Sequence, residues 1–361
     1  MRIFRCETCG NPLFFENVQC LKCGSALAFL PDRLALCAVE PAPGQQEGLL
    51  RRKAAGQRQP GTRLYRHCHN QSAWNACNFA VAADDPNTLC VSCRQTSFLP
   101  DLSVPGNRER WVRIEAAKRR LFYTLAKLGL ESVQPAGGQS DGPLFQFLAD
   151  VPGQPVMTGH ANGVITLNVA EADDPERVRR RLALHEPYRT LLGHLRHESG
   201  HYYWDRLIRD GGRAQAFREV FGDESVDYSQ ALAQHYASGG TPANWQDQYV
   251  SAYATAHPWE DWAETWAHYL HMVDLLETAA SYSTRLVVPG TEPDDSDEVV
   301  NPFAGESTDF NQLVEQWVPV TLLLNSLNRS LGQDDAYPFA LTAGALAKLR
   351  FVHDVILEVR A

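Results

Sequence analysis

The sequence predicts an α+β protein with two parts: a cysteine-rich region over residues 1–100 and a mostly helical domain with a small sheet over residues 101–361. All nine cysteines lie within the first 93 residues, which indicates metal sites in that region. After residue 107, apolar residues recur at three- and four-residue steps, the period of amphipathic helices. The stretch 100–106 contains two prolines and a glycine and marks the boundary between the parts.

Composition and charge exclude several classes of protein. Hydrophobic residues make up 44% of the 361 residues and charged residues 21%, which is typical of a soluble globular protein. The net charge of −10 argues against broad binding to nucleic acid or to an anionic membrane. No apolar run reaches the roughly 18–20 residues of a membrane span, and residues 1–6 contain no signal-peptide segment. We therefore expect a cytoplasmic protein.

The first cysteine set consists of two C-x-x-C-G turns, with the ligand candidates Cys6, Cys9, Cys20 and Cys23. Each turn lets two thiolates reach one ion, and the glycine that follows relieves the backbone there. In a reducing compartment such sets indicate metal rather than disulfides. The set predicts a structural zinc site of the zinc-ribbon type.

A second structural zinc is predicted from a looser set: Cys68, Cys77, Cys90 and Cys93. Only the last pair forms a tight turn, so His67 or His69 could replace a cysteine at the Cys68 end. The ninth cysteine, Cys37, is expected to be a buried apolar residue. Residues 41–48 have the composition of a linker, and the basic run 51–53 after them could contact a protein partner.

The motif His197-Glu198-Ser199-Gly200-His201 lies inside a predicted helix over residues 187–208. Residues i and i+4 share a helix face, so the two histidines can bind one metal ion. In this H-E-x-x-H arrangement the glutamate is a general base. Gly200 costs the helix roughly 1 kcal/mol relative to alanine, so its presence suggests close packing or close metal approach.

A second helix, beginning at Pro258, offers the third ligand. Glu260 and Glu264 are four residues apart and project to one side. One carboxylate with two histidines forms a His₂Glu zinc site that leaves a position for water. The other carboxylate could accept a hydrogen bond from the distal nitrogen of a ligating histidine.

These two motifs resemble the gluzincin metallopeptidases. The resemblance implies that Glu260 is the ligand and that Glu264 supports the site. The spacing of Tyr253, seven residues before Glu260, is similar to the anthrax lethal factor branch, which implies that Tyr253 points at the scissile carbonyl. With the two cysteine sets, the motifs resemble a bacterial family of zinc-binding metallopeptidases over nearly the whole chain. The resemblance implies a zincin-like catalytic domain after the zinc ribbons.

Several flanking elements complete the prediction. Two strands are expected, over residues 144–148 and 163–170, and the second could pair with an extended substrate at the cleft. Helices are expected over residues 107–128, 213–237, 309–329 and 341–360. His194, His268 and His271 are expected to be packed or to support the site, and Tyr337 could line a specificity pocket.

The sequence thus predicts a zinc metallopeptidase that hydrolyses peptide bonds in a peptide or protein substrate. It would hold one catalytic Zn²⁺ and two structural Zn²⁺ ions. The alternative is a zinc-binding scaffold whose ribbons recruit a protein partner, with little or no hydrolysis. An intact Glu198 argues against this alternative, because a purely structural metal site needs no base.

Overall fold

A computed structural model describes residues 1–53, 63–130, 142–151, 153–183, 190–237, 241–287, 298–305 and 308–360. It confirms the α+β class, with a zinc-ribbon region followed by a helical domain that carries a small sheet. Within the described residues, no helix combines the length and the apolar character that crossing a membrane requires.

The N-terminal region is built from short antiparallel strands. β1 (Phe4–Arg5) pairs with β2 (Pro12–Leu13). A five-stranded sheet follows in chain order, made of β3 (Ala26–Leu30), β4 (Ala35–Pro41), β5 (Leu50–Arg52), β6 (Leu64–His67) and β7 (Ala80–Ala82).

Two residues of the basic run, Arg51 and Arg52, are part of this sheet, in β5. Arg51 pairs with Glu40 on the neighbouring strand, and Arg52 pairs with Glu7. Both guanidinium groups are therefore neutralised within the fold rather than presented freely to a partner.

One long helix joins the two regions. After α1 (His69–Trp74) and β8 (Thr96–Phe98), α2 runs over Asn107–Lys127. The helix begins at Asn107 as expected, but Gly106 is the N-cap residue, with φ of 87°. Ile114 and Leu121 of α2 enter the main core, whereas Tyr123 packs among Phe4, Phe15 and Phe29 of the ribbon region.

A second sheet has the order β10–β11–β9–β8, with β9 over Leu144–Leu148, β10 over Gly159–Ala161 and β11 over Val164–Asn168. The strand prediction for 144–148 was correct. β11 is shorter than predicted because the Asn168 side chain accepts a hydrogen bond from the Ala170 backbone and caps a 3₁₀ turn. Since β11 pairs with β10 and β9, it has no free edge, and the hypothesis that residues 163–169 bind substrate was wrong. The edge strand beside β11 is β10, and β8 forms the other edge of this sheet.

The helical domain contains α3 (Asp174–Ala183), α4 (Leu191–Tyr203), α5 (Ala214–Phe221), α6 (Tyr228–Ala237), α7 (Pro258–Ser281), α8 (Phe310–Ser330) and α9 (Ala343–Arg360). α4 continues as a π-helical stretch, Trp204–Arg209. Its N-cap is Thr190, whose side chain accepts from the Gly193 backbone, whereas the predicted start, Pro187, lies outside the described residues. The single helix predicted over 213–237 is two helices, because Gly222 has φ of 97°.

α7 is the central helix and packs against α4, α8 and α9. Its Trp262 and Trp266 are fully buried, and the Trp266 ring stacks on Tyr203 of α4 at 5.0 Å. A buried ion pair, Arg196 with Asp274, joins the same two helices. The crossing of α4 and α7 thus brings the two predicted ligand motifs together inside the core.

Candidate metal centres

The nitrogen and oxygen atoms of the predicted catalytic ligands converge where α4 meets α7. Glu260 Oε2 lies 3.0 Å from His197 Nε2 and 3.5 Å from His201 Nε2. Ligands held about 2 Å from a tetrahedral zinc ion are about 3.3 Å apart, so this spacing fits zinc. Glu260 Oε2 and His201 Nδ1 are buried and have no hydrogen-bond partner among the described residues. The donor set of two imidazoles and one carboxylate is complete and convergent.

The charges of this cluster are strongly coupled. Burial alone would raise the pKa of Glu260, but His201 and His197 outweigh it and hold that pKa well below its usual range. Burial lowers the pKa of His197, but Glu260 and Glu264 outweigh this effect and raise it well above its usual value. Burial would also raise the pKa of Glu264, but interactions with its neighbours, chiefly the hydrogen bond with His197, outweigh burial and lower that pKa. The Glu260 and Glu264 carboxylates are therefore charged.

Glu264 contacts Nδ1 of His197, the ring nitrogen that does not face Glu260. Its Oε1 lies 2.7 Å from His197 Nδ1, and its Oε2 accepts a hydrogen bond of 2.6 Å from the Ser251 hydroxyl. A carboxylate at Nδ1 favours the tautomer whose Nε2 lone pair faces the cluster. Ser251 was not predicted, because a single serine in a loop gives no periodic signal.

Glu198 lies next to the ligands without serving as one. Its side chain is buried, and its Oε2 has no hydrogen-bond partner in the described part of the chain. Burial raises the pKa of this carboxyl group, which makes its carboxylate a stronger base.

Two tyrosines contact the cluster from outside the two ligand helices. The Tyr253 ring, in a 3₁₀ turn before α7, lies 6.0 Å from the His197 ring, and burial raises the pKa of its hydroxyl. The Tyr228 hydroxyl donates a hydrogen bond of 2.6 Å to Glu260 Oε1 and interacts with Tyr253. Tyr228 was not predicted, because it lies 32 residues before Glu260 and belongs to neither motif.

Aromatic rings cover the second histidine. The Trp259 ring lies 3.8 Å from the His201 ring, and His160 of the edge strand β10 is nearly parallel to His201 at 6.3 Å. Burial lowers the pKa of His160 to about 4, and this histidine is therefore neutral near pH 7. The edge strand and the metal helix thus meet at His201.

The first cysteine set has the spacing of a tetrahedral thiolate site. The sulfur atoms of Cys6 and Cys23 are 3.7 Å apart, as are those of Cys9 and Cys20. Thiolates about 2.3 Å from zinc are about 3.8 Å apart in a tetrahedron. Gly10 and Gly24 adopt φ near +70° in the two turns, a conformation that glycine tolerates best.

The second set consists of four buried cysteines, so neither His67 nor His69 replaces one. Cys77 Sγ lies 3.8 Å from Cys90 Sγ and 3.6 Å from Cys93 Sγ, and Cys68 completes the cluster. Buried Lys118 and Arg119 of α2 lie close enough to interact with these thiolates. Cys37 is buried in β4, in a small apolar cluster apart from both sets.

The other histidines singled out by the sequence have packing partners. His194 lies 3.5 Å from the Glu171 carboxylate. His268 Nδ1 lies 2.7 Å from the Tyr337 hydroxyl, and His271 packs against the Trp317 and Tyr337 rings. Tyr337 is buried in this cluster, so the expectation that it lines a specificity pocket was wrong.

The family model described as "Putative zinc-binding metallo-peptidase" matches residues 107–355, which include every candidate catalytic ligand. The chain belongs to this family. A zinc-ribbon domain model matches residues 3–104, so the predicted resemblance to zinc-binding metallopeptidases with N-terminal ribbons is confirmed.

Relatives in the family extend over the whole chain. Uncharacterized proteins of Mycobacterium bovis and Mycobacterium tuberculosis are 43% identical over 360 residues, which covers 99% of this chain and 96% of theirs. No solved structure matches the chain.

Proposed function

We propose that this family member is a zinc-dependent peptidase that hydrolyses peptide bonds. The observation that carries the proposal is the convergence of His197, His201 and Glu260 beside a buried carboxylate, Glu198, that is not a ligand. A structural zinc site is usually closed by four protein ligands, whereas three ligands leave a position for a reactant. The two Cys₄ sets would hold two structural zinc ions.

A zinc ion held by these three residues would polarise the scissile carbonyl and acidify a water molecule. Glu198 would take the proton from the attacking water and pass it to the leaving amine as the carbon–nitrogen bond breaks. Its raised pKa suits both transfers, since the group must accept a proton and then release it. Glu264 would hold His197 in the ligating tautomer throughout.

Tyr253 would donate a hydrogen bond to the oxyanion that develops on the carbonyl oxygen. Its raised pKa keeps the hydroxyl protonated at neutral pH, as a donor must be. The Tyr253 ring lies near the His197 ring, whereas the Trp259 and His160 rings lie near the His201 ring.

An extended substrate would align along the edge strand β10. Among the residues that the structure describes, this strand pairs only with β11, and it packs against α4. An unpaired strand edge offers backbone donors and acceptors to a peptide. The eight thiols of the two cysteine sets would favour a reducing compartment, so we place the enzyme in the cytoplasm.

The test is an unbiased peptide-library cleavage assay on the full chain and on Glu198→Gln, with zinc content measured for both. We expect cleavage by the parent only, and the same zinc content in both proteins, because Glu198 is not a ligand. Equal cleavage by the variant would contradict the mechanism. Absence of cleavage by the zinc-loaded parent would favour the scaffold alternative, in which the ribbons recruit a protein partner.

A further inference from the structure

The two oxygens of the Glu260 carboxylate have different environments. Oε2 faces the Nε2 atoms of His197 and His201, at 3.0 and 3.5 Å. Oε1 accepts a hydrogen bond of 2.6 Å from the hydroxyl of Tyr228, the first residue of α6. A carboxylate can bind zinc through one oxygen or through both, so the hydrogen bond to Oε1 selects between these modes.

We propose that Tyr228 is a positioning residue that restricts Glu260 to binding zinc through Oε2 and couples α6 to the metal site. The inference rests on the proposed zinc site. With the tyrosine hydroxyl bonded to Oε1, that oxygen is a weaker ligand and is held away from the ion, so binding through Oε2 alone is favoured and a coordination position stays open for water. Hydrogen bonds of this kind orient metal-binding side chains and contribute strongly to metal affinity.

The packing of α6 makes its position depend on this contact. None of its described side chains is fully buried, so the helix has no apolar core of its own. The Tyr228 ring lies 5.3 Å from His257 and 5.7 Å from Trp259, and His235 Nδ1 lies 3.4 Å from the Thr255 hydroxyl. All three partners belong to the segment around the start of α7, so α6 is anchored on the segment that carries Glu260.

Coupling between two binding equilibria is reciprocal. If Tyr228 holds Glu260 in the ligating position, zinc bound to Glu260 must also strengthen the docking of α6. This role differs from the role proposed for Tyr253, which acts on the substrate. Loss of the Tyr228 hydroxyl should therefore change metal affinity, whereas loss of the Tyr253 hydroxyl should change turnover.

The first experiment measures zinc affinity of the full chain by competition with a chromogenic chelator. We call the ion proposed at His197, His201 and Glu260 the exchangeable zinc, because that site is not closed by four protein ligands. In Tyr228→Phe, which keeps the ring, we expect this ion to bind about 10- to 100-fold more weakly. His201→Ala lacks one of the three ligands, so the zinc-binding step that is lost in this variant belongs to the exchangeable zinc. Tyr282→Phe is the matched control, because this tyrosine is exposed at the end of α7, and its affinity should equal that of the parent.

The second experiment measures hydrogen exchange of α6 with zinc present and after chelation. In the parent, zinc should slow exchange in α6, and in Tyr228→Phe this effect should be lost. Unchanged affinity in Tyr228→Phe, or α6 protection that does not respond to zinc in the parent, would overturn the proposal. Neither measurement depends on hydrolysis. If the parent binds zinc but cleaves no peptide, the proposed peptidase function is disproved, whereas the role of Tyr228 is not.

Discussion

The indole Nε1 of Trp262 donates a hydrogen bond of 2.8 Å to the backbone oxygen of Gly200, across the contact between α7 and α4. A Cβ atom at Gly200 would lie 2.9 Å from Ala263 Cα and 3.2 Å from Trp266 Cδ1. The glycine therefore allows the backbones to approach closely, as its position in the motif suggested. This approach sets the distance between the histidines on one helix and the glutamate on the other.

Gly200→Ala should lower the free energy of unfolding by about 1–2 kcal/mol, because overpacking against backbone atoms outweighs the better helix propensity of alanine. The displaced helices should also bind the exchangeable zinc more weakly. Chemical denaturation and chelator competition measure the two effects. Gly159→Ala, where a Cβ would meet no atom within 4 Å, should change the stability by less than about 0.5 kcal/mol. Equal stabilities for both variants would contradict the close-packing argument.

Glu264→Gln should weaken binding of the exchangeable zinc by about 10- to 100-fold, because the amide lacks the charge that stabilises the ligating tautomer of His197. Ser251→Ala removes the hydrogen bond to the other carboxylate oxygen and the one from the Ala254 backbone N–H, but it leaves the charge of Glu264 in place, so its effect should be smaller. The predicted order of affinity is parent, Ser251→Ala, Glu264→Gln. A Glu264→Gln protein with parental affinity would show that the contact does not support the metal site.

Tyr253→Phe should lower kcat by about 100-fold, the usual effect of losing one oxyanion donor. Zinc affinity and KM should change little, because the hydroxyl is proposed to act on the developing charge of the transition state. Steady-state kinetics on a peptide identified in the library assay, with zinc titration alongside, measure both quantities. A rise in KM at unchanged kcat would instead assign Tyr253 to substrate binding.

Cys93→Ala should remove one zinc ion per chain and destabilise the protein, because three thiolates do not close a structural site. Cys37→Ala is the matched control: Cys37 is equally buried but lies outside both sets. Its zinc content should equal that of the parent, which we expect to hold three ions per chain. Elemental analysis after dialysis provides the count, and a full complement of zinc in Cys93→Ala would exclude that cysteine as a ligand.

Acid should destabilise the fold partly through His268. Burial lowers the pKa of this histidine to about 4, against roughly 6.5 in an unfolded chain. Between these values the unfolded state binds a proton that the folded state does not, so stability falls as the pH decreases from about 6.5 to 4, by up to about 3 kcal/mol.

The matching variant is His268→Gln, which should lose less stability than the parent across this range of pH in denaturant titrations. Acid also releases zinc, but that loss is common to both proteins and cancels in the difference. The exposed His69→Gln serves as control and should follow the parent curve. Parallel curves for the parent and His268→Gln would contradict the prediction.

The sequence predicted those site residues that lie close to one another along the chain. His197 and His201 share a helix turn, and Glu260 and Glu264 share another, so residue spacing alone places each pair on one face. The first cysteine set and the pair Cys90 and Cys93 were found by their short spacing as well, whereas Cys68 and Cys77 lie farther apart in the sequence.

The other parts depend on tertiary contacts between distant segments. Tyr228 and Ser251 reach the site from outside the two ligand helices, at 32 and 13 residues from the carboxylates they contact. The ion pairs of Arg51 and Arg52 were not predicted, because their counter-charges, Glu40 and Glu7, are distant in sequence. The edge strand β10 has only three residues, too few to show an alternation.

Tyr123 contacts both the ribbon region and the helical domain. Its ring packs among Phe4, Phe15 and Phe29 of the ribbon region, while its hydroxyl donates a hydrogen bond of 2.6 Å to Glu277 of α7. Removal of residues 1–104 would expose this ring and would also remove the Arg2 backbone N–H, which donates a hydrogen bond of 2.9 Å to the other carboxylate oxygen of Glu277. The ribbon region therefore completes the surroundings of the helix that carries Glu260, and we expect residues 105–361 alone to be less stable than the full chain.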